Sequence, residues 1–81
     1  MPMITLRQLL DHAAENGYGV PAFNINNMEQ GLSVMKAAEA TNSPVILQAS
    51  RGARAYANDA VLAGLIMGLS KAFPEIPLCM H

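Results

Sequence analysis

Polar side chains that can bind a ligand follow three short apolar runs of the sequence. Asn24 stands at the end of the first run, Gln48 and Ser50 at the end of the second, and His81 at the end of the third. Amide, hydroxyl and imidazole groups can all form hydrogen bonds with a polar substrate. The types and placement of these residues therefore indicate a binding site built from the ends of three elements.

Ser50 is the position best suited to bind a phosphate group. Its hydroxyl can donate to a phosphate oxygen, and Gly52 loosens the backbone that follows. Arg51 and Arg54 bring positive charge to the same segment. These residues also fit a polar turn with two solvated arginines. Asn24 has a similar alternative, because an asparagine that ends a strand can hydrogen-bond its own backbone in a turn.

Several other polar residues are predicted to have structural roles. Asn27 fits a helix cap better than a ligand contact. His12 is predicted to lie on the surface of the first helix. Cys79 is the only cysteine, so no internal disulfide can form, and we expect a buried and inert thiol.

Some classes of function are disfavoured by what the sequence contains. A Schiff-base enzyme needs a lysine at a strand end, but Lys36 and Lys71 fall within predicted helices. Glycine-rich nucleotide motifs are missing. The net charge is −1 with five basic residues, which disfavours nucleic acid. No apolar run approaches the ~20 residues of a membrane span. We therefore expect a cytoplasmic protein with neither a nucleic acid nor a membrane partner.

The elements that would position these residues alternate between helix and strand. Thr5 and Gln8 form a capping-box pattern at the start of the first helix, and Gly17 suits its end. Asn27 and Asn58 are predicted to cap two further helices. The predicted order is helix 6–16, strand 19–25, helix 28–41, strand 44–49, loop 51–57, a helix after Asn58, and strand 76–81.

Buried faces are predicted for three helices from the spacing of their apolar residues. The predicted inward positions are Leu6, Leu9, Leu10, Ala13 and Ala14 in the first, Met28, Leu32, Met35 and Ala38 in the second, and Leu62, Ile66, Leu69 and Phe73 in the third.

Strands separated by helices favour a parallel sheet with right-handed crossovers, in which polar strand ends meet at one mouth. Three strands cannot close a barrel. The composition, 52% hydrophobic and 14% charged, is also more apolar than a small independent domain needs. We therefore expect residues 1–81 to form part of a larger α/β domain, interrupted after a strand whose outer edge is unpaired.

Four blocks of the sequence resemble the opening of the class II, metal-dependent fructose-bisphosphate aldolases. The blocks are residues 5–10, 17–27, 43–53 and 76–81, and together they extend along essentially the whole chain. Their order makes the resemblance more specific than any one block. It implies that residues 1–81 are the N-terminal part of a single (β/α)₈ TIM barrel, of which this chain supplies an N-terminal helix and the first three strands.

The resemblance also implies a reaction and a cofactor. Members of this family cleave fructose 1,6-bisphosphate reversibly to dihydroxyacetone phosphate and glyceraldehyde 3-phosphate. A divalent metal, usually Zn²⁺, stabilises the enediolate as a Lewis acid, and an aspartate exchanges the substrate proton. In the family pattern, an Asp-His pair that follows the third strand supplies that aspartate and one metal ligand. The resemblance further implies a homo-oligomer.

Two positions of this chain match substrate-binding positions of the family. Ser50 matches a serine that contacts the glyceraldehyde 3-phosphate end, and Asn24 matches an asparagine of the substrate cleft. His81 matches a histidine beside the metal that is not usually a ligand. No catalytic or metal-binding residue is expected within this span, so we expect residues 1–81 alone to have no lyase activity and to bind no catalytic zinc.

Two alternatives to a fructose-bisphosphate aldolase are kept. Tagatose-bisphosphate aldolases share the fold, the metal and the mechanism, although residues 48–53 resemble the fructose group more closely. The second alternative is a free-standing, non-enzymatic partner module that pairs its open sheet edge with an aldolase barrel. Such a module would have to exist natively at this length, with a mass of 8.6 kDa.

Overall fold

The computed structural model describes residues 3–81, which contain four helices and three parallel strands. Their bounds are α1 Leu6–Asn16, β1 Ala22–Asn24, α2 Met28–Thr41, β2 Val45–Gln48, α3 Arg51–Ala57, α4 Asp59–Ala72 and β3 Leu78–Met80. The strands are ordered β1-β2-β3 across one sheet, and both pairings are parallel. The predicted alternation of helices and parallel strands is confirmed, although each strand is shorter than predicted. No helix in residues 3–81 is long and apolar enough to cross a membrane.

The first helix begins and ends where the sequence predicts. The Thr5 hydroxyl accepts from the backbone N–H of Gln8 at 3.0 Å, and the Gln8 side chain accepts from the Thr5 N–H at 2.9 Å. Gly17 ends the helix with φ 68°, a left-handed conformation in which a side chain would be strained. Leu9 and Ala13 are buried as predicted, but Leu10 is 47% exposed. The apolar face of α1 is therefore only partly covered.

The second helix packs against the fourth at a glycine. Asn27 caps α2 as predicted by accepting from the N–H of Gln30 at 2.9 Å. Met35 is buried, as predicted for the inward face of α2. Met28 was wrongly placed on this face and is 56% exposed, because α4 contacts the first turn of α2 on the side of Gly31. Gly31 is buried instead, close against α4.

Both faces of β2 and β3 are covered, by different helices. Val45 and Leu47 point toward α2 and α4, where the larger apolar cluster forms. Ile46 points to the other face, where it packs with Cys79 and with Leu9 of α1. This alternation follows from the period of two in a β-strand. The inward side chains of α4, all buried as predicted, are Leu62, Ile66, Leu69 and Phe73.

The two edges of the sheet differ in how they are covered. β1 was predicted to be buried, but all three of its residues are exposed because it is an edge strand that pairs only with β2 within residues 3–81. On the opposite edge, the N–H of Ile4 donates to the carbonyl of Leu78 at 2.9 Å, and Met3 bridges Leu78 in parallel. The edge of β3, which was expected to be unpaired, is therefore partly covered at its start.

Residues 51–57 were predicted to be a loop and instead form the short helix α3. Asn58 separates it from α4 and has an unusual backbone conformation, with φ 80° and ψ 136°. Its side chain accepts from the N–H of Ala60 at 2.8 Å, so the predicted cap of α4 is confirmed. The two helices are consecutive because one capping residue ends the first and begins the second.

Asn58→Ala is expected to lower the free energy of unfolding by about 1–2 kcal/mol, because the cap is lost and a positive φ disfavours alanine. Asn58→Gly is expected to cost only a few tenths of a kcal/mol, since glycine accepts this conformation and is a tolerable cap. Denaturant titration of the complete protein measures both changes. Equal destabilisation by the two variants would show that the backbone conformation of Asn58 is unimportant.

Burial raises the pKa of the Cys79 thiol above its ordinary value. Cys79 lies beneath α1 and is 2% exposed, which confirms the predicted buried thiol. In the unfolded chain the thiol ionises at lower pH, so its contribution to stability is fully present below the unfolded pKa and is lost as the pH rises through the folded pKa. We expect alkylation of Cys79 by iodoacetamide to require a higher pH than alkylation of a free thiol. Equal rates at each pH would contradict this.

Candidate functional site

A cleft of about 290 Å³ lies at the carboxyl end of the sheet. The residues that line it are Asn24, Gln48, Ala49, Ser50 and His81. They come from the ends of all three strands and from the start of α3. Both predicted substrate-binding residues, Ser50 and Asn24, therefore border the same space.

The register of the sheet brings the polar residues into one row. Asn24 pairs with Gln48, while the N–H of His81 donates to the carbonyl of Leu47 at 2.8 Å. Gln48 lies two residues after Ile46, and His81 lies two residues after Cys79. These polar side chains therefore project from the same face as the apolar layer beneath α1, one layer nearer the carboxyl end.

Ser50 has a structural role in addition to its place in the cleft. It is the N-cap of α3, and its hydroxyl oxygen accepts from the N–H of Ala53 at 3.1 Å. The hydroxyl proton is not used by that bond, so Ser50 can still donate to a ligand oxygen. The cap fixes the side chain at the mouth of the cleft. The sequence predicted the ligand role but missed the cap, because it predicted no helix at residues 51–57.

Asn24 and Asn27 have different surroundings in the structure, and Asn27 caps a helix as the sequence predicted. Asn24 lies on the cleft, is exposed and makes no side-chain hydrogen bond to another residue of the described range 3–81. Its amide is therefore free to bind a ligand. The Asn27 side chain is occupied at the start of α2, where it accepts from the N–H of Gln30. The alternative considered for Asn24, a turn bond to its own backbone, does not form within residues 3–81.

Gln48 and His81 form a side-chain contact on the cleft wall. The Nδ1 atom of His81 lies 3.3 Å from Oε1 of Gln48. Both residues were recognised in the sequence as polar strand ends, but neither was assigned a binding role. The signal that could have identified Gln48 is its place in β2, two residues before Ser50 and opposite Asn24.

The cleft contains too few donors for a metal centre. Within residues 3–81, no three histidine, cysteine, aspartate or glutamate side chains are grouped so as to hold a metal ion. His81 is the single such side chain on the cleft lining, and Zn²⁺ sites in enzymes use three protein ligands. These residues therefore do not form a zinc site by themselves.

His12, predicted to be a surface residue, lies exposed on α1, where its Nδ1 contacts the Tyr18 hydroxyl at 2.6 Å.

A larger groove of about 600 Å³ runs beside β1, away from the polar cleft. Its walls include Phe23 of the edge strand, Val34 of α2, and Tyr18, which precedes β1. Phe23 is 43% exposed there. The groove is mainly apolar, and its polar side chains, such as Tyr18 and Ser43, precede the strands and do not lie at their carboxyl ends. We therefore assign the candidate site to the smaller cleft.

The fold and the site together define a class of protein. Parallel strands joined by helices, with polar side chains gathered where the strands end, are the arrangement in which α/β enzymes bind small ligands. The chain has this arrangement of strands and helices. Comparison with known sequences then identifies the family. The sequence model of the class-II fructose-bisphosphate aldolases matches residues 4–81, and this chain belongs to that family.

Individual relatives agree with the family assignment. The chain is 73% identical to fructose-bisphosphate aldolase 2 of Cereibacter sphaeroides and 68% identical to fructose-bisphosphate aldolase of Rhizobium meliloti. It is 60% identical to fructose-bisphosphate aldolase class 2 of Synechocystis. Each comparison covers 100% of this chain and 23% of the relative. The chain thus spans about a quarter of the length of these relatives.

Proposed function

We propose that this chain is part of a lyase that cleaves fructose 1,6-bisphosphate reversibly to dihydroxyacetone phosphate and glyceraldehyde 3-phosphate. The observation that carries the proposal is the row of polar side chains at the carboxyl end of the sheet, in a chain of the class-II aldolase family. A sugar bisphosphate offers both phosphate oxygens and hydroxyl groups. The cleft offers the hydroxyl, amide and imidazole groups that can bind them.

Ser50 and Asn24 are the residues we assign to substrate binding. The free hydroxyl proton of Ser50 donates to a phosphate oxygen at the glyceraldehyde 3-phosphate end. The Asn24 amide, which is free within residues 3–81, binds the sugar from the neighbouring strand. The cleft lining carries no lysine or arginine, so this part of the site holds the phosphate by hydrogen bonds more than by ion pairs.

We further propose that the complete protein is a (β/α)₈ barrel in which this chain supplies α1 and the strands β1, β2 and β3. The exposed edge of β1 and the apolar groove beside it support this proposal, since a closed barrel leaves no strand edge unpaired. In this arrangement residues 1–81 are the N-terminal part of one domain. A cytoplasmic homo-oligomer is the form we propose for the complete enzyme.

The proposed reaction depends on a divalent metal, Zn²⁺ or another, whose ligands are proposed to lie in the parts of the aldolase that this chain does not include. We expect dialysis of the complete protein against a chelator to abolish cleavage and added Zn²⁺ to restore it. A coupled assay for glyceraldehyde 3-phosphate measures both steps. Undiminished cleavage after the metal content has fallen below one tenth of the subunit concentration would contradict metal dependence.

The substrate is tested by comparing two stereoisomers. We expect the complete protein to have a higher kcat/KM for fructose 1,6-bisphosphate than for tagatose 1,6-bisphosphate, in agreement with the names of the relatives. The reverse order would identify a tagatose-bisphosphate aldolase.

An intact-mass measurement on native material tests the non-enzymatic module, because that alternative requires a native species of 8.6 kDa.

A further inference from the structure

We propose that Gln48 is a positioning residue that selects one tautomer of His81 and so presents a hydrogen-bond acceptor to the substrate. The proposal rests on the function proposed above and assigns two residues for which that function gave no role. Its starting point is the contact of 3.3 Å between Oε1 of Gln48 and Nδ1 of His81. Within the described range 3–81, this is the one hydrogen bond that joins side chains of different β-strand segments.

The chemistry of the two groups determines where the proton lies. An amide oxygen can only accept a hydrogen bond, so the contact requires that Nδ1 of His81 carry the proton. In a neutral imidazole the other nitrogen, Nε2, is then unprotonated and acts as an acceptor. With its oxygen turned toward Nδ1 instead of its NH₂ group, Gln48 therefore leaves Nε2 as the ring nitrogen that faces a ligand as an acceptor.

The backbone around His81 limits the freedom of the ring. The N–H of His81 donates to the carbonyl of Leu47 at 2.8 Å, and its own carbonyl accepts from the N–H of Ala49 at 3.3 Å. These two bonds attach His81 to the strand that carries Gln48. With the main chain fixed and Nδ1 held by Gln48, Nε2 is the ring nitrogen left for the cleft.

The other polar side chains of the cleft offer hydrogen-bond donors, so an acceptor at His81 would complement them. Ser50 has a hydroxyl proton to donate, and Asn24 has an amide group that can donate. The lining contains no carboxylate, so unprotonated Nε2 of His81 is a strong acceptor where the cleft is otherwise rich in donors. We assign it to a hydroxyl group of the sugar, while the donors bind phosphate and carbonyl oxygens.

A double-mutant cycle in the complete, metal-loaded enzyme tests whether Gln48 acts through His81. Gln48→Met keeps the side-chain length and removes the acceptor oxygen. We expect the KM for fructose 1,6-bisphosphate to rise about tenfold with kcat changed less than twofold, because the acceptor binds a sugar hydroxyl in the bound substrate as well as in the transition state. In the His81→Ala background the same substitution should change KM less than twofold. Gln8→Met, at the start of α1, is the matched control and should leave KM unchanged.

Nitrogen NMR of the enzyme labelled at histidine tests the tautomer without reference to activity. We expect a protonated Nδ1 and an unprotonated Nε2 at His81, and a shift toward protonated Nε2 in Gln48→Met. A protonated Nε2 in the unmodified enzyme overturns the proposal, as does a tenfold effect of Gln48→Met in both backgrounds, which would mean direct substrate contact. If the complete enzyme cleaves no sugar bisphosphate, the proposed function fails, while the NMR result still decides the tautomer.

Discussion

Ser50→Gly in the complete enzyme is expected to raise the KM for fructose 1,6-bisphosphate by about tenfold or more. A hydrogen bond to a charged acceptor contributes about 1.5–3 kcal/mol, and 1.4 kcal/mol corresponds to a factor of ten. Glycine is the informative substitution because Ser50 also caps α3, and glycine replaces a serine cap at a cost of only a few tenths of a kcal/mol. Steady-state kinetics with the bisphosphate measures the loss of binding.

Two further substitutions at Ser50 separate binding from capping. Ser50→Asp retains a good cap but places a negative charge against the phosphate, so we expect a greater loss of affinity than with glycine. Ser50→Ala removes both the donor and the cap, and should combine the raised KM with about 1 kcal/mol of lost stability. A Ser50→Gly enzyme with the KM of the unmodified protein would remove Ser50 from the substrate site.

Leu47→Ala is expected to lower the free energy of unfolding by about 2–5 kcal/mol. Leu47 is the central residue of β2 that faces the helices, it is 0% exposed, and it belongs to the larger apolar cluster. Its removal leaves a cavity where strand and helices meet, and the neighbouring backbone cannot collapse to fill it. Thermal denaturation of the complete protein measures the effect as a lowered Tm.

Val61→Ala is the matched control for Leu47→Ala. It also shortens an aliphatic side chain, but Val61 lies on α4 and is 62% exposed. We expect a change within about 0.5 kcal/mol, as for other surface substitutions. A large loss of stability in Val61→Ala would indicate that another part of the protein covers this face of α4. A small loss in Leu47→Ala would contradict the packing described for β2.

The features predicted best from the sequence are those determined by neighbouring residues. The bounds of α1 follow from Thr5 with Gln8 and from Gly17, which satisfy the backbone groups at its two ends. Asn58 was recognised for the same reason. Helix α3 was missed because seven residues rich in alanine, with Gly52 among them, show no apolar period long enough to indicate a helix.

Predictions that depended on tertiary packing were less complete. The sequence places Met28 on the same helical stripe as Met35, but only the structure shows that α4 meets the first turn of α2 at Gly31 and leaves Met28 exposed. The strand β1 has the composition of a buried strand and lies at an edge. Composition describes the environment a strand acquires in the whole domain, and a segment need not contain all of that environment.

The position of the candidate site could be predicted from the sequence, but the contacts within it could not. Parallel strands bring their carboxyl ends together, so Asn24 and Ser50 could be expected near one another from the order of elements alone. The contact between Gln48 and His81 depends on the register of β2 against β3. A slip of two residues would keep every side chain on its face, so the apolar pattern alone does not specify this contact. Likewise, the double use of Ser50 as cap and donor could not be recognised while residues 51–57 were expected to be a loop.

The hydrogen bond from Ile4 to Leu78 affects how the segment assembles during translation. The inner surface of α1 packs on Ile46 of β2 and on Cys79 of β3, and this contact is complete only when β3 has left the ribosome, about seventy residues after Leu9. At about 5–20 residues per second, this interval is roughly 4–15 seconds. Until then Leu9 lacks the neighbour that Cys79 provides in the finished sheet. The nascent chain therefore carries an amphipathic helix with an incompletely covered apolar face, a suitable target for a chaperone that acts at the ribosome.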